Sequence, residues 1–134
     1  MLHSQIIGEG TPFIILHGFL GMLDNWRSLG LKYAEAGFQV HLVDQRNHGR
    51  SFHSPNFSYP LMVEDLLAYA NAQQLTNFHL LGHSMGGKTA MVFLKQCNAL
   101  NKAFLLLRRM LHTLFPVVEA AARDADSFTE HLNG

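Results

Sequence analysis

Apolar runs that alternate with helical segments constrain the fold of this chain more than any other feature. Four runs predict strands, namely 12–17 (PFIILH), 38–44 (FQVHLVD), 77–82 (NFHLLG) and 103–107 (AFLLL). PFIILH is a continuous apolar run, as expected for a strand buried on both faces of a parallel sheet. Helical spacing lies between them, at about 24–36, 60–74 and 85–96. This order predicts the α/β class, with three α/β/α layers around a mostly parallel, twisted sheet.

The two ends of the chain complete the predicted domain. A short strand, SQIIG at 4–8, precedes the first buried run. The residues after 107 are predicted to be helical, with a break near Pro116. The 134 residues fit one domain. We divide it into a core over 1–95 and a divergent strand with a helical C-terminal tail over 96–134.

The amino-acid composition indicates which partners and which cellular compartment to expect. The chain is 48% hydrophobic and 15% charged, and ten basic residues balance ten acidic ones without a basic stripe. We therefore expect a folded domain with no nucleic-acid or anionic-membrane partner. One cysteine, Cys97, excludes an internal disulfide and fits a reducing compartment. Because no signal peptide or membrane-length apolar run is present, a soluble cytoplasmic protein is expected.

The nine histidines are scattered and do not predict a metal site. The sequence contains neither H-E-x-x-H nor C-x-x-C, and His48 and His53 are close neighbours in a polar loop. A metal site needs ligands whose spacing converges on one ion. We therefore expect neither a metal nor another cofactor.

Residues 80–91, LLGHSMGGKTAM, fit two catalytic patterns at once. GHSMG at 82–86 is G-x-S-x-G, which is typical of a serine-hydrolase nucleophile turn. The same segment reads G-x-x-x-x-G-K-T, which is typical of a phosphate-binding loop whose lysine would be Lys88. A phosphate loop normally follows the first core strand, and an acid after a later strand holds magnesium. Here the motif follows the third long run, and AFLLL leads into two arginines, although Asp44 ends an earlier strand. Nucleotide binding stays a distant alternative.

The nucleophile interpretation gains from the surrounding residues. Gly82 and Gly86 remove Cβ atoms where a tight strand-to-helix turn brings backbone together, which would present the Ser84 hydroxyl at the sheet edge. The oxyanion formed by attack needs preorganised N–H donors. The N–H of Met85 offers one at a helix N-terminus, and HGFLG at 17–21 offers a second from Phe19. Leu20 and His83 are candidate substrate-binding residues in these loops.

Three Gly-containing polar loops should share one edge of the predicted sheet. HGFLG, DQRNHGRS at 44–51 and HSMGG at 83–87 each follow a predicted strand. Ligands of such sheets gather at the carboxyl ends of the strands. The convergence of the three loops predicts a binding site there.

These three segments, in this order and spacing, resemble the α/β-hydrolase superfamily, and most closely the YbfF-type esterases and their abhydrolase relatives. The likeness covers roughly residues 3–95. It implies a shortened α/β-hydrolase fold lacking the cap and last strands, and a cofactor-independent hydrolysis of short-chain carboxylic esters or thioesters. On the matching positions it implies that Ser84 is the nucleophile and that His17 and Gly18 open the oxyanion loop.

The family's acid and base, which follow the nucleophile in the order acid then histidine, are not obvious here. Asp124 and His131 have the required order, yet seven residues separate them. That is about 10 Å along a helix, too far for a direct hydrogen bond. The base could instead be His112, or a histidine of the predicted sheet edge, namely His48, His53 or His83. In the remaining alternative, the tail only covers the sheet.

A shortened hydrolase core would leave a sheet edge and apolar helix faces open to water. We therefore expect a homodimer or higher oligomer, formed through the sheet edge or by exchange of the tail. The alternative to a serine esterase is a non-catalytic, oligomeric protein that keeps the hydrolase scaffold.

Overall fold

A computed structural model describes residues 1–96 and the strands at 104–108 and 117–121. The strands are β1 (Ser4–Ile7), β2 (Thr11–Leu16), β3 (Phe38–Val43), β4 (His79–His83), β5 (Phe104–Arg108) and β6 (Val117–Ala121). The helices are α1 (Arg27–Glu35), α2 (Tyr59–Ala72) and α3 (Met85–Gln96), and a 3₁₀ turn over Leu23–Trp26 leads into α1. The predicted α/β order is confirmed, with most boundaries within two residues of those expected.

The described strands form one sheet in the order β1-β3-β2-β4-β5-β6. The four central strands run parallel, whereas β1 pairs antiparallel with β3 and β6 pairs antiparallel with β5. The mostly parallel sheet predicted from the alternation of strands and helices is therefore confirmed.

The sheet separates two apolar layers, and β2 contributes to both. Phe13 and Ile15 belong to the layer that includes Trp26 and Leu29 beside α1. The intervening residues Ile14 and Leu16 belong to the other layer, which the buried side chains of α2 and α3 complete. Because successive side chains of a strand point to opposite faces, an unbroken apolar run is what a sheet covered on both sides requires.

The starts of α1 and α2 are set by different local interactions. Before α1, residues 23–26 form the 3₁₀ turn, and the Asn25 side chain accepts the Met22 N–H at 2.9 Å. The N-cap of α2 is Ser58, whose hydroxyl accepts the Leu61 N–H at 3.3 Å. Pro60 lies in the first turn of α2, where its missing N–H costs nothing.

The prediction of a helical tail is wrong for residues 117–121, which form β6. The segment begins with two β-branched residues, Val117 and Val118, which favour extended backbone. Pairing with β5 also satisfies backbone groups of β5 that would otherwise lie at an open sheet edge. The other tail residues, 97–103, 109–116 and 122–134, lie outside the described residues.

None of the described helices combines the length and the apolar composition that a membrane span requires.

Candidate active site

The carboxyl ends of β2 and β4 mark the point where the strand order reverses. From β2 the chain passes to β3 on one side, and then to β4 on the other side of β2. Leu16 of β2 pairs with Gly82 of β4, so the loops after these strands are neighbours. In open α/β sheets, this reversal point is where ligands bind.

A single residue, Ser84, connects β4 to α3. Its φ angle is +50°, a left-handed conformation that costs a non-glycine residue about 1–2 kcal/mol. Its carbonyl accepts the Lys88 N–H at 3.0 Å, which starts the hydrogen-bond ladder of α3, and the residue is exposed. The turn therefore holds a solvent-accessible serine at the edge of the sheet in a strained backbone conformation.

Glycine is required on both sides of this turn. A Cβ atom at Gly82 would lie 2.3 Å from the Gly86 carbonyl oxygen, and one at Gly86 would lie 2.2 Å from the Leu16 carbonyl oxygen. Both distances are far below contact, and both neighbours are backbone atoms that cannot move aside. The two outer glycines of G-x-S-x-G are thus explained by close backbone packing.

The same geometry leaves no phosphate-binding loop. Because α3 begins at Met85, residues 85–88 belong to the first helical turn and cannot encircle a phosphate group. Lys88 is exposed, and its Nζ lies 5.9 Å from the centre of the Tyr59 ring. Nothing in the described residues supports the nucleotide-binding alternative.

The loop after β2, residues 17–22 and hereafter the β2 loop, lies directly against the Ser84 turn. A Cβ atom at Gly18 would lie 2.9 Å from Nδ1 of His83. The Gly18 carbonyl accepts the Gly21 N–H at 3.0 Å and lies 2.8 Å from Nδ1 of His17. Since N–H and C=O of a trans peptide point in opposite directions, the Phe19 N–H points away from these two donors.

The tip of the β2 loop is exposed and strained. The side chains of Phe19 and Leu20 are 66% and 81% exposed, and Leu20 has a φ angle of +60°. The imidazole of His48 lies below the tip, with Nε2 3.2 Å from the Leu20 N–H. Leu20, one of the predicted substrate-binding residues, therefore projects to solvent at this edge of the sheet.

The loop after β3, residues 44–58 and hereafter the β3 loop, is organised by Asp44. One carboxylate oxygen accepts the Leu23 N–H at 2.7 Å, and the other accepts the Arg50 N–H at 3.0 Å. Gly49, at φ +51°, packs so closely that a Cβ atom would lie 2.2 Å from this carboxylate. Both oxygens are used in backbone contacts, so Asp44 orders the two loops.

Gln45 connects three elements of the site. Its backbone N–H donates to Nε2 of His17 at 3.0 Å, and its side-chain amide donates to the His17 carbonyl at 2.8 Å. Its side-chain oxygen accepts the Thr89 hydroxyl of α3 at 3.0 Å. Burial lowers the pKa of His17, although its hydrogen bond to the Gly18 carbonyl opposes the change. A neutral His17 suits this network, because Nε2 must accept a hydrogen bond.

Arg46 fastens the β3 loop to α2. Its guanidinium makes two hydrogen bonds to Asp65, with Nε–Oδ2 at 2.6 Å and Nη2–Oδ1 at 2.9 Å, and a third to the Asn56 carbonyl at 2.7 Å. The hydrogen bond to Asp65 raises the pKa of Arg46. Sequence reasoning missed this pair, because nothing in the sequence links a loop arginine to an acid nineteen residues later.

Few of the candidate bases can be placed against Ser84. His131, Asp124 and His112 lie outside the described residues. His48 uses both ring nitrogens, since Nδ1 lies 2.8 Å from the Arg46 carbonyl and Nε2 faces Leu20. His53 is exposed and His83 is half-buried. The identity of the base stays a prediction.

A cavity of about 510 Å³ opens between the β2 loop and α1, and it is lined also by His83, which precedes Ser84. Its lining is part apolar, from Phe19, Trp26 and Leu29, and part polar, with His83 and Lys32 among the polar residues. The rings of Trp26 and His83 lie 5.4 Å apart. His83, the second predicted substrate-binding residue, thus lines a space that can receive part of a small molecule.

Among the described residues, no group of three or more histidine, cysteine or acidic side chains is arranged to hold a metal ion.

Comparison with known proteins agrees with this geometry. The profile of a family described as alpha/beta hydrolase fold matches residues 11–106. Esterase YbfF of Escherichia coli is 40% identical over 83 residues, which are 62% of this chain and 32% of that enzyme. The sn-1-specific diacylglycerol lipase ABHD11 of Danio rerio is 35% identical over 126 residues, which are 93% of this chain and 38% of the lipase.

Comparison with a solved structure supports the same fold. A marine microorganism esterase superposes with a TM-score of 0.75 at 45% identity, over 79% of this chain and 40% of the esterase. The chain belongs to the alpha/beta hydrolase family, and the family resemblance seen in the sequence is confirmed. The chain spans about a third of the length of the curated relatives described above.

Proposed function

We propose that this chain carries the nucleophile and oxyanion hole of a serine esterase that acts on short-chain carboxylic esters or thioesters. The observation that carries the proposal is the Ser84 turn, a one-residue connection at φ +50° that is closed by two glycines. Such a turn costs free energy and exposes a hydroxyl, which a purely structural connection would not need. Esterases among the relatives of this chain support an assignment to the same class of enzyme.

In the proposed reaction, the Ser84 Oγ attacks the carbonyl carbon of the ester while a base removes its proton. The negative charge that develops on the carbonyl oxygen is stabilised by the N–H groups of Phe19 and Met85. The Met85 N–H is free for this role, because the first N–H groups of a helix have no intrahelical partner. Departure of the alcohol or thiol, which takes up the proton, leaves an acyl-serine that water hydrolyses.

For the base we carry forward the predicted His131, with His112, His53 and His83 as alternatives, and for the acid Asp124; a direct Asp124–His131 hydrogen bond would require the helix predicted between them to unwind. The cavity between the β2 loop and α1 is proposed to receive the acyl or the alcohol portion of the substrate, with Trp26 and Leu29 as its apolar lining. Its volume of about 510 Å³ suits a small ester.

Turnover of p-nitrophenyl acetate, followed by release of nitrophenol, tests the proposal. The expected result is activity in the wild type that Ser84→Ala reduces by about 10³-fold or more. Thr11→Ala is the matched control, since it removes a hydroxyl at the opposite end of β2. Equal activity in Ser84→Ala and the wild type would refute the assignment.

A second candidate function is a scaffold without turnover. The observation in its favour is that both ring nitrogens of His48, one of the candidate bases, are occupied by structural hydrogen bonds. A fluorophosphonate separates the two, because it reacts with activated serines. Absence of both labelling and turnover in the folded wild type would favour the scaffold.

Self-association is also a proposal. The described sheet ends at β1 on one side and at β6 on the other, and an edge strand offers unpaired N–H and C=O groups to a second chain. Light scattering after gel filtration should give at least twice the 15.1 kDa mass of one chain. A monomer mass at micromolar concentration would contradict this expectation.

A further inference from the structure

Hydrogen bonds join the β3 loop to the segment after β2 at three positions that are spaced three residues apart. The ring of His17 accepts the N–H of Gln45, the N–H of Leu20 donates to His48, and the N–H of Leu23 donates to Asp44. The first and last of these bonds hold the two ends of the segment. The middle bond holds its exposed tip, which contains the proposed oxyanion donor Phe19.

The hydrogen bonds of His48 fix its tautomer. Nδ1 lies 2.8 Å from the Arg46 carbonyl, which can only accept, so Nδ1 carries the hydrogen. Nε2 is then an acceptor, and the Leu20 N–H donates to it at 3.2 Å. His48 is buried, at 7% exposure, and its ring meets the Phe19 ring edge-on at 5.9 Å. One neutral imidazole therefore supports both the backbone and the aromatic side chain of the tip.

This support is needed because the tip has little else to hold it. Leu20 has a φ angle of +60° and is 81% exposed, so burial of its side chain contributes almost nothing to offset the left-handed backbone. The Gly18–Gly21 turn bond is the other hydrogen bond that closes the tip. Without the acceptor at Nε2, rotation about Leu20 would relieve the strain and turn the peptides on either side of it. That rotation would break the Gly18–Gly21 bond, which helps to orient the Gly18–Phe19 peptide and with it the Phe19 N–H.

We propose that His48 is a positioning residue, which holds the β2 loop in the conformation that points the Phe19 N–H at the developing oxyanion. This inference rests on the proposed function of Ser84. It assigns His48 no proton transfer and no contact with substrate. Its effect is expected on the rate of the chemical step rather than on substrate binding.

The test compares three variants that fold, as judged by circular dichroism and thermal unfolding. His48→Phe removes the acceptor, whereas His48→Gln keeps a donor for the Arg46 carbonyl and an acceptor for the Leu20 N–H. His41→Phe is the matched control, since His41 is also buried and uses both ring nitrogens, toward Tyr69 and Gln39. His41 lies within β3, away from the β2 loop.

The readouts are the rate of fluorophosphonate labelling at Ser84, and kcat and KM for p-nitrophenyl acetate. His48→Phe should lower the labelling rate and kcat by about tenfold to a hundredfold, the scale expected for a displaced oxyanion donor, and KM should change by less than about threefold. His48→Gln should restore most of the rate, and His41→Phe should match the wild type. Should His48→Phe not fold, His48→Leu makes the same comparison with a smaller side chain.

The outcomes separate this inference from the function on which it depends. A folded wild type that is not labelled at Ser84 would refute the proposed function, and the inference with it. A labelled wild type with equal rates in His48→Phe would overturn only the role of His48. An equal loss in His48→Phe and His48→Gln, or a similar loss in His41→Phe, would also overturn it, because the effect would then reflect general packing.

Discussion

The two loops that meet beside Ser84 differ in how they are held. The β3 loop is buried where it leaves its strand, and Asp44, Gln45 and Arg46 satisfy their polar groups through hydrogen bonds to neighbouring elements. The β2 loop ends in two exposed apolar side chains and a strained residue, Leu20. This difference indicates a division between the loops: the β3 loop is rigid, whereas the β2 loop provides the surface that substrate would contact. The predictions below test that division.

The largest effect is expected from filling the contact between Gly49 and Asp44. In Gly49→Ala the new Cβ would lie 2.2 Å from the carboxylate, and the residue would keep φ +51°. We expect a loss of about 3 kcal/mol or more in the free energy of unfolding, measured in urea.

Gly21→Ala in the β2 loop is the matched control for that change. There the nearest atoms are the Gly18 carbonyl oxygen at 3.0 Å and the Asn25 side chain at 3.3 Å, so a smaller loss of about 1 kcal/mol is expected. A larger loss for Gly21→Ala than for Gly49→Ala would contradict the division between the loops.

A second, smaller effect should follow from breaking the ion pair of the β3 loop. Arg46→Ala leaves the Asp65 carboxylate, 13% exposed, without its partner. We expect a loss of about 2 kcal/mol, below the range for fully buried pairs. Chemical denaturation of Arg46→Ala, Asp65→Ala and the double variant measures the coupling.

If the losses of unfolding free energy in Arg46→Ala and Asp65→Ala add up to the loss in the double variant, the ion pair has no stabilising role. Arg46→Lys should recover part of the stability, because a lysine keeps the charge but loses the two-point geometry.

Changes at the tip of the β2 loop should hardly alter stability. Leu20→Gly removes a side chain that is 81% exposed and replaces a strained residue with one that adopts φ +60° freely. The expected change is a gain of up to about 1 kcal/mol, offset in part by the flexibility of glycine in the unfolded chain. A thermal melt that shows a loss above about 1 kcal/mol would mean that the tip is packed more firmly than its exposure indicates.

The smallest effect is expected from acid. It should act on His17, which belongs to the β2 loop and is hydrogen-bonded to Gln45 of the β3 loop. Burial lowers the pKa of His17 below its ordinary value of 6.5, so between these two values the unfolded chain binds more protons than the folded one. The free energy of unfolding should therefore fall as the pH drops below about 6.5, until the folded pKa is reached. His41, whose pKa is also lowered by burial, adds to the same slope.

Urea denaturation between pH 7.5 and pH 5 measures this slope, and His17→Gln and His41→Gln should each reduce it. A slope that neither substitution changes would show that other groups cause the loss of stability in acid.

Much of the fold was predictable from the sequence because it depends on local patterns. The largely apolar runs between helical segments predicted three buried strands, and the GHSMG motif predicted that Ser84 lies between a strand and a helix. The prediction of a helix over 117–121 was wrong because the extended conformation of this segment depends on pairing with β5. That pairing is a tertiary interaction, which a local sequence pattern does not show.

The supports of the candidate site were less predictable, for the same reason. Arg46 meets Asp65, and His48 meets Leu20 twenty-eight residues earlier, only after the sheet has formed. The density of polar residues in 44–51 indicated a functional edge of the sheet but not which residue contacts which. His131 and Asp124 lie outside the described residues and stay predictions.

A crystal structure of the protein after reaction with a small organophosphate would test the central claim most directly. We expect the phosphorus to be bonded to the Ser84 Oγ, with one phosphoryl oxygen about 2.7–3.1 Å from the N–H groups of Phe19 and Met85. An adduct on another residue, or a phosphoryl oxygen turned away from both N–H groups, would contradict the account.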